Sequence, residues 1–177
     1  MSSVLLSISG HDRPGIVRDV AESLLGLNAN IEDSSMTALR GRFTMMLIVR
    51  MSEDRSMGEL KAALAELEQR TRLTVQSQTI SDEEANVSAL EPDHIITVHG
   101  ADKAGIVHAV TDTLATLGVS VVDVSTQSRD SDKGSVYMMV LEVSAGDQGK
   151  AMKAALDVMA ENIAVEVDLH ELDDAVI

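Results

Sequence analysis

Two glycine-rich turns carry the residues of this chain whose types and spacing could do chemistry. The sequence GHDRPGIV spans residues 10–17, and the related GADKAGIV spans residues 100–107. Each precedes a helical pattern, so free backbone N–H groups at a helix N-terminus could bind a carboxylate or phosphate there. In the alternative interpretation, Gly10 and Gly15 serve turn geometry and Asp12 caps the helix with its side chain. Neither turn matches a Walker loop or G-x-G-x-x-G, so nucleotide binding is not indicated.

Signatures of enzymes and metal sites are missing from the sequence. The five histidines have no H-x-x-x-H or H-E-x-x-H spacing, no G-x-S-x-G elbow is present, and the chain has no cysteine. Glu166, Asp168 and His170 alternate and could bind a divalent metal. We favour the alternative that they form the polar face of a strand whose valines and leucine point inward. We therefore predict no catalytic residue, no metal site and no cofactor.

The charge of the chain limits its partners. The 177 residues include 14 Lys and Arg against 29 Asp and Glu, which gives a formal charge of −15. Such a field repels nucleic acid and anionic lipid, and only Phe43 and Tyr137 could offer aromatic stacking. No apolar run approaches the roughly 18 residues of a membrane span, and residues 1–12 do not resemble a signal peptide. We expect a cytoplasmic protein that contacts neither nucleic acid nor membrane.

The sequence contains an internal repeat with a period near 90. Residues 10–35 align with residues 100–125 at a constant offset of 90, and 10 of the 26 positions are identical. Further along, pairing Met45-Met46 with Met138-Met139 changes the offset to 93, which predicts three extra residues in the second intervening turn. One methionine of each pair should be buried. A period this long predicts two small domains and not a solenoid.

The two copies show the same order of secondary structure. Short apolar runs predict strands, and Ile16, Val17, Val20, Leu24 and Leu27 recur at helical spacing, as do their equivalents ninety residues on. We predict strands at Val4–Ser9, Asn30–Leu39, Arg42–Met51 and Leu73–Ile80, and at His94–His99, Ser120–Arg129, Ser135–Ser144 and Ile163–His170. A second helix in each copy completes β-α-β-β-α-β.

This order predicts an α+β fold of two ferredoxin-like domains in tandem, each with one helix-free sheet face. The domains should span residues 1–81 and 94–177, with the acidic segment 82–93 as the linker. Pro14 should lie in the first helical turn, and the first helices should end near Asn28 and Gly118. Ser56 and Glu59 form a capping-box pattern, and Gly41 fits a hairpin turn.

The stretch D-R-P-G-I-V at residues 12–17, followed by N-A-N-I-E-D-S at residues 28–34, resembles the ACT domain, a β-α-β-β-α-β module that binds amino acids. The resemblance covers both copies. Two tandem ACT domains without a catalytic or DNA-binding partner look most like the glycine cleavage system transcriptional repressor type. That resemblance implies a non-enzymatic regulator with glycine as ligand and a transcriptional activator as protein partner. The main alternative is a regulatory subunit that binds and tunes a metabolic enzyme; a catalytic ferredoxin-like protein and an oligomerisation module without a ligand are further alternatives.

The resemblance also implies the binding residues. In ACT domains the ligand typically lies where two domains meet, held by the turn after the first strand and by the start of the second strand. Carried over, this implicates residues of both copies: Asp12, Arg13, Pro14, Gly15, Ile16, Asn30 and Ile31, with Asp102, Gly105 and Ile106. The second copy has Ala104 and Ser120 in place of Pro14 and Asn30, so its site could be weaker, altered in specificity or purely structural. ACT domains commonly pair edge to edge, so a homo-oligomer is a further expectation.

Overall fold

The computed structural model describes residues 3–131 and 134–172. The chain divides into two compact units, Met1–Ser88 and Ala89–Ile177. We call them unit 1 and unit 2. Each has its own hydrophobic core, built between one sheet and two helices.

Unit 1 has the predicted β-α-β-β-α-β order. Its elements are β1 (Ser3–His11), α1 (Ile16–Leu25), β2 (Asn30–Leu39), β3 (Arg42–Arg50), α2 (Met57–Thr71) and β4 (Thr74–Ile80). The sheet has the order β2-β3-β1-β4, and all neighbouring strands are antiparallel. β1 and β3 are the central strands, and along each of them buried residues that face the helices alternate with more accessible residues on the other sheet face.

Unit 2 repeats this topology. After a short helix α3 (Asp82–Ala85) come β5 (His94–Ala101), α4 (Ile106–Thr116), β6 (Ser120–Ser131), β7 (Gly134–Ser144), a 3-10 turn, α5 (Gly149–Ile163) and β8 (Glu166–Glu171). The strand order is β6-β7-β5-β8. The prediction of two ferredoxin-like α+β units is therefore confirmed.

The helices pack on one face of each sheet, as their spacing predicted. Ile16, Val20 and Leu24 of α1 are buried in the core of unit 1, and their equivalents in α4 are buried in unit 2. Val17 and Val107 were predicted on the same buried face, and this was wrong, because they are 40% and 44% exposed. Each lies next to the first core residue of its helix, where successive side chains point about 100° apart, so it turns toward solvent.

The boundaries of several elements differ from their predicted positions. The last strand of unit 2 was predicted from Ile163, but α5 continues to Ile163 and the strand begins at Glu166. Ala164 takes a left-handed conformation, with φ +50°, and turns the chain between the two elements. Helix α1 ends at Leu25, before Asn28, although Asn28 has the expected left-handed conformation.

The segment predicted as linker contains one turn of helix. Ser81 caps α3 by accepting a hydrogen bond from the Glu84 N–H, and the Glu84 carboxylate accepts one from the Ser81 N–H. The acidic residues that indicated a linker also suit a helix N-terminus, because their charge stabilises the helix dipole. The assignment of residues 82–93 as the linker stays a prediction.

The repeat alignment beyond the hairpin was wrong by one residue. Ile8 pairs with Met45, whereas the equivalent Val98 pairs with Met139, so the offset of the third strands is 94 and not 93. Met45 and Met139 are buried at 6% and 0% exposure, while Met46 and Met138 are exposed. The prediction of one core methionine in each pair is confirmed, but the alternating strand faces pair Met45 with Met139.

The extra residues of unit 2 lengthen a hairpin. Strands β6 and β7 have 12 and 11 residues, whereas β2 and β3 have 10 and 9. The turn was the predicted place for the added residues, and this was wrong because the pairing continues to Ser131 and Gly134. No helix among the described residues is both long and apolar enough to cross a membrane.

Candidate functional site

The turn between β1 and α1 is held in place by backbone contacts. The Asp12 N–H donates to the carbonyl of Gly41, 2.9 Å away, which ties the turn to the β2–β3 hairpin. Gly15 has φ +84° and ψ +3°, a left-handed conformation that favours glycine. Its carbonyl accepts a hydrogen bond from the Asp19 N–H at 3.0 Å and so begins the helix.

The first turn of α1 has no side-chain cap. Gly15 is the N-cap residue, and no side chain in the described part of the chain accepts a hydrogen bond there; Gly105 begins α4 in the same way, with φ +97°. The alternative in which Asp12 caps the helix was therefore wrong, because the intervening turn places Gly15 at the cap. Helix α2 differs, since the predicted box of Ser56 and Glu59 is formed. The open N–H groups of α1 and α4 suit a carboxylate.

Pro14 and Ile16 can contribute less to a site than the resemblance implies. Pro14 was predicted inside the first helical turn, but it precedes the N-cap Gly15 and lies outside the helix. Ile16 is 4% exposed and Ile106 is 2% exposed, because both side chains belong to the cores. The side chains of these two isoleucines are therefore not available to a ligand.

Arg13 is held by an acidic residue of α1. Its Nη2 lies 2.6 Å from Oδ2 of Asp19, and Arg18 Nη2 lies 3.0 Å from the other carboxylate oxygen. Asp19 is 7% exposed, and the hydrogen bonds from Arg13 and then Arg18 hold the pKa of its carboxyl below the ordinary value. Sequence reasoning missed Asp19, although its acidic type in the first helical turn was a signal.

The equivalent turn of unit 2 has different side-chain contacts. The Asp102 N–H donates to the carbonyl of Ser135 at 3.0 Å, and the Asp102 carboxylate accepts a hydrogen bond from the Ser128 hydroxyl at 2.5 Å. Lys103, in the position of Arg13, donates to the carbonyl of Ile163. The Asp12 carboxylate makes no hydrogen bond or ion pair with any residue that the structure describes. The first turn therefore presents a free carboxylate and the second does not.

Asn30 and Ile31 lie far from this turn within unit 1. Asn30 is opposite Arg50, which is opposite Ser3, whereas the turn follows His11 at the other end of β1. Eight residues of extended strand separate these ends, which corresponds to roughly 25 Å. Within one unit, the turn Asp12–Gly15 therefore lies at one end of the sheet, and Asn30 and Ile31 lie at the other end.

A bulge marks the start of β2 and is repeated in β6. The register shifts between Ile31 and Asp33, and again between Val121 and Asp123. The bulged residue Glu32 forms a two-pronged ion pair with Arg50, whose Nη2 lies 3.1 Å from Oε2 of Glu32. No sequence pattern indicated the bulge. Its position in both units shows that the start of the second strand is shaped alike in the two copies.

The polar residues of β8 form the strand face that we favoured. His99 Nε2 lies 3.5 Å from Asp168 and 3.8 Å from Glu166, while Val165, Val167 and Leu169 pack against the core. Within residues 3–131 and 134–172 no group of three or more His, Asp or Glu side chains could hold a metal ion.

Both halves of the chain are similar to known protein domains. ACT-domain family models match residues 2–78 and residues 94–158. A UPF0237 protein of Methanopyrus kandleri is 45% identical over 65 residues, which are 36% of this chain and 72% of that protein. A UPF0237 protein of Methanococcus maripaludis is 36% identical over 83 residues, 45% of this chain and 92% of that protein.

Two solved structures share the fold over nearly the whole chain. An unknown protein from Galdieria sulphuraria superposes with a TM-score of 0.79 at 28% identity, covering 97% of this chain and 99% of that one. A protein provisionally assigned as a glycine cleavage system transcriptional repressor superposes with a TM-score of 0.73 at 19% identity, covering 98% of each chain. With the topology and the two glycine turns, these matches show that the chain belongs to the ACT-domain family and carries two ACT domains in tandem.

Proposed function

We propose that this chain is a non-enzymatic regulatory protein that binds a small amino acid and acts through a protein partner. The observation that carries the proposal is the uncapped start of α1 beside the free carboxylate of Asp12. Helix N–H groups suit the carboxylate of an amino acid, and Asp12 suits its ammonium group. ACT domains bind small ligands such as amino acids, and glycine is the ligand that we expect.

A second copy of the chain completes the site in this proposal. Strand β2 is the edge of its sheet, and every residue of it is accessible. If β2 pairs antiparallel with β2 of a second copy, the Asn30 end of one strand lies beside the Leu39 end of the other. Leu39 is opposite Arg42, which is opposite His11, so this pairing brings Asn30 toward the partner's Asp12–Gly15 turn. An unpaired edge strand favours such pairing.

Calorimetric titration of the whole protein with each of the twenty amino acids tests the ligand. We expect glycine or another small amino acid to bind. Asn30→Ala should weaken binding by about tenfold or more, because it removes a hydrogen-bonding partner of a charged group. Ser120→Ala, the equivalent change in unit 2, is the matched control and should leave this site unchanged. A folded sample that binds none of the twenty contradicts the proposal.

Light scattering coupled to size exclusion tests the second copy. Ser35 lies near the middle of β2, so Ser35→Lys would bring two lysines together across the paired edges and separate the copies. Gln76→Lys adds the same charge to the exposed opposite edge strand, β4, and should leave the dimer intact. If the wild-type protein is a monomer and still binds its amino acid, a second copy does not complete the site.

The partner in this proposal is a transcriptional activator of glycine cleavage genes. The charge of −15 supports action through protein contact and not through DNA. Ligand binding can change the affinity of the protein for its partner only to the extent that the ligand binds one arrangement of the protein more tightly than another. Crosslinking in the native cell with and without glycine, followed by mass spectrometry, separates this role from the alternative. A crosslinked activator supports the transcriptional role, whereas a crosslinked metabolic enzyme identifies a subunit that tunes that enzyme.

A further inference from the structure

A cleft with three basic side chains lies on the helix-free face of unit 1. It has a volume of about 440 Å³ and is formed at the end of the sheet where β1 stops. His11 and Arg42 are cross-strand neighbours on this face, and Arg72 approaches from the turn before β4. None of the residues carried over from the ACT resemblance lines it. We call it the arginine cleft.

The arginines of this cleft are free to bind a ligand. The guanidinium groups of Arg42 and Arg72 make no hydrogen bond or ion pair with any residue that the structure describes. Five of the eight described arginines of unit 1 are paired with carboxylates instead: Arg13, Arg18, Arg50, Arg55 and Arg70. Among the described residues no Asp or Glu lines the arginine cleft, so none of them neutralises its positive charge locally.

The remaining lining of the cleft is also suited to an anion. Hydroxyl groups come from four positions on neighbouring strands: Ser9, Thr37, Thr44 and Thr74. Hydroxyl groups donate hydrogen bonds to phosphate oxygens, and a guanidinium group can donate to two phosphate oxygens at once. The volume exceeds that of inorganic phosphate and lies in the range of small-molecule sites, roughly 300–1,000 Å³.

The equivalent cleft of unit 2 lacks these features. It has a volume of about 560 Å³ and is lined by Val136 and Ala164, which occupy the positions of Arg42 and Arg72. Glu166 occupies the position of Thr74 and places a negative charge there. The charge of the whole units differs in the same direction. Residues 1–88 have 9 Lys and Arg against 13 Asp and Glu, whereas residues 89–177 have 5 against 16.

From these observations we propose that the arginine cleft of unit 1 is a binding site for a phosphorylated small metabolite, separate from the amino-acid site. Arg42 and Arg72 bind the phosphate group, the strand hydroxyls complete its hydrogen bonds, and the rest of the cleft takes the organic part. This goes beyond the proposed function, because it gives the protein a second ligand that an amino-acid sensor does not need.

Nuclear magnetic resonance titration of the full chain with pyrophosphate tests the proposal. We expect the Nε–Hε signals of Arg42 and Arg72, and the amide signals of Thr44 and Thr74, to shift on saturation. Arg42→Ala and Arg72→Ala should each weaken binding by about tenfold or more, since each removes a charge-assisted hydrogen bond. These side chains are exposed, so the variants should fold, which the dispersion of their spectra checks.

Arg55→Ala is the matched control, because it removes the same charge from unit 1 at a residue paired with Glu59 outside the cleft. It should bind pyrophosphate like the wild type. Citrate at equal concentration separates a phosphate site from a general polyanion site. The proposal is overturned if pyrophosphate leaves the cleft signals unmoved, if citrate binds equally well, or if Arg55→Ala loses as much affinity as Arg42→Ala.

Discussion

The guanidinium of Arg13 lies 2.6 Å from the carboxylate of Asp19, across the first turn of α1. Arg18 approaches the same carboxylate from the other side. Asp19 therefore fixes the position of the turn that we propose binds the amino acid. In unit 2 the position of Asp19 is occupied by Ala109 and that of Arg13 by Lys103, so this arrangement belongs to unit 1 alone.

The stability of unit 1 should depend on the charge of Asp19. Because its pKa is lower in the folded protein than the ordinary 3.8, its stabilising contribution is complete above pH 3.8 and is lost as the pH falls through the lowered pKa. Asp19→Asn should reduce the free energy of unfolding at neutral pH and reduce its loss in acid. Urea denaturation at neutral pH and below pH 3.8 measures both. Identical pH profiles for the two proteins would contradict this assignment.

Gly15→Val should remove amino-acid binding and destabilise unit 1 by at least about 1–2 kcal/mol, because left-handed φ is strained for residues with a Cβ. Calorimetric titration and thermal unfolding measure the two effects. Gly118→Val is the control for strain, since Gly118 has φ +71° and no atom within 4 Å of an added Cβ. Both variants should unfold at lower temperature, but only Gly15→Val should fail to bind. Equal binding by the two variants would show that the Gly15 turn is not part of the site.

Asp93 should stabilise unit 2 through the turn that precedes α5. Its carboxylate accepts hydrogen bonds from the Ala145 N–H at 2.8 Å and the Gly146 N–H at 2.6 Å. Burial raises the pKa of Asp93, but hydrogen bonds from His94 and these two amides outweigh it, so the net pKa is lowered. Asp93→Ala should cost roughly 1–3 kcal/mol, because the amides lose their acceptor.

Asp93→Asn retains an acceptor oxygen and should cost less than Asp93→Ala. The wild-type advantage over Asp93→Ala should be complete above pH 3.8 and decrease as the pH falls through the lowered pKa. Hydrogen exchange at Ala145 and Gly146 locates the effect. Unchanged protection of both amides in Asp93→Ala would rule out this role.

The methionine pairs should respond unequally to truncation. Met45→Ala and Met139→Ala should each cost about 2–5 kcal/mol, because both side chains are buried in a core. Met46→Ala and Met138→Ala remove exposed side chains and should change the free energy of unfolding by about 0.5 kcal/mol or less. Urea denaturation of the four variants measures this. A larger loss for Met138→Ala than for Met139→Ala would support the offset of 93 instead of 94.

Local sequence signals were sufficient for most of the fold. Helical spacing predicted the buried faces of α1 and α4, the box of Ser56 and Glu59 predicted the start of α2, and Gly41 predicted the first hairpin turn. These features depend on residues a few positions apart, so a short stretch of sequence contains their cause. The repeat then predicted the same topology twice.

Features that depend on strand pairing needed the structure. The equivalence of Met45 and Met139 follows from their pairing with β1 and β5. In the sequence each of them has an identical neighbour, so the sequence does not show which methionines are equivalent. Arg42 and Arg72 are thirty residues apart in sequence, and only the sheet and the turn before β4 bring them to one cleft.

The sequence alone thus established two ACT-like β-α-β-β-α-β domains and the turns from which each could bind a ligand. Tertiary structure decided which of those residues are free to do so. The Asp12 carboxylate has no partner among the described residues and Arg13 is held by Asp19, while Asn30 lies at the far end of the same sheet. The reason is physical: the availability of a side chain depends on neighbours that the fold brings from other parts of the chain.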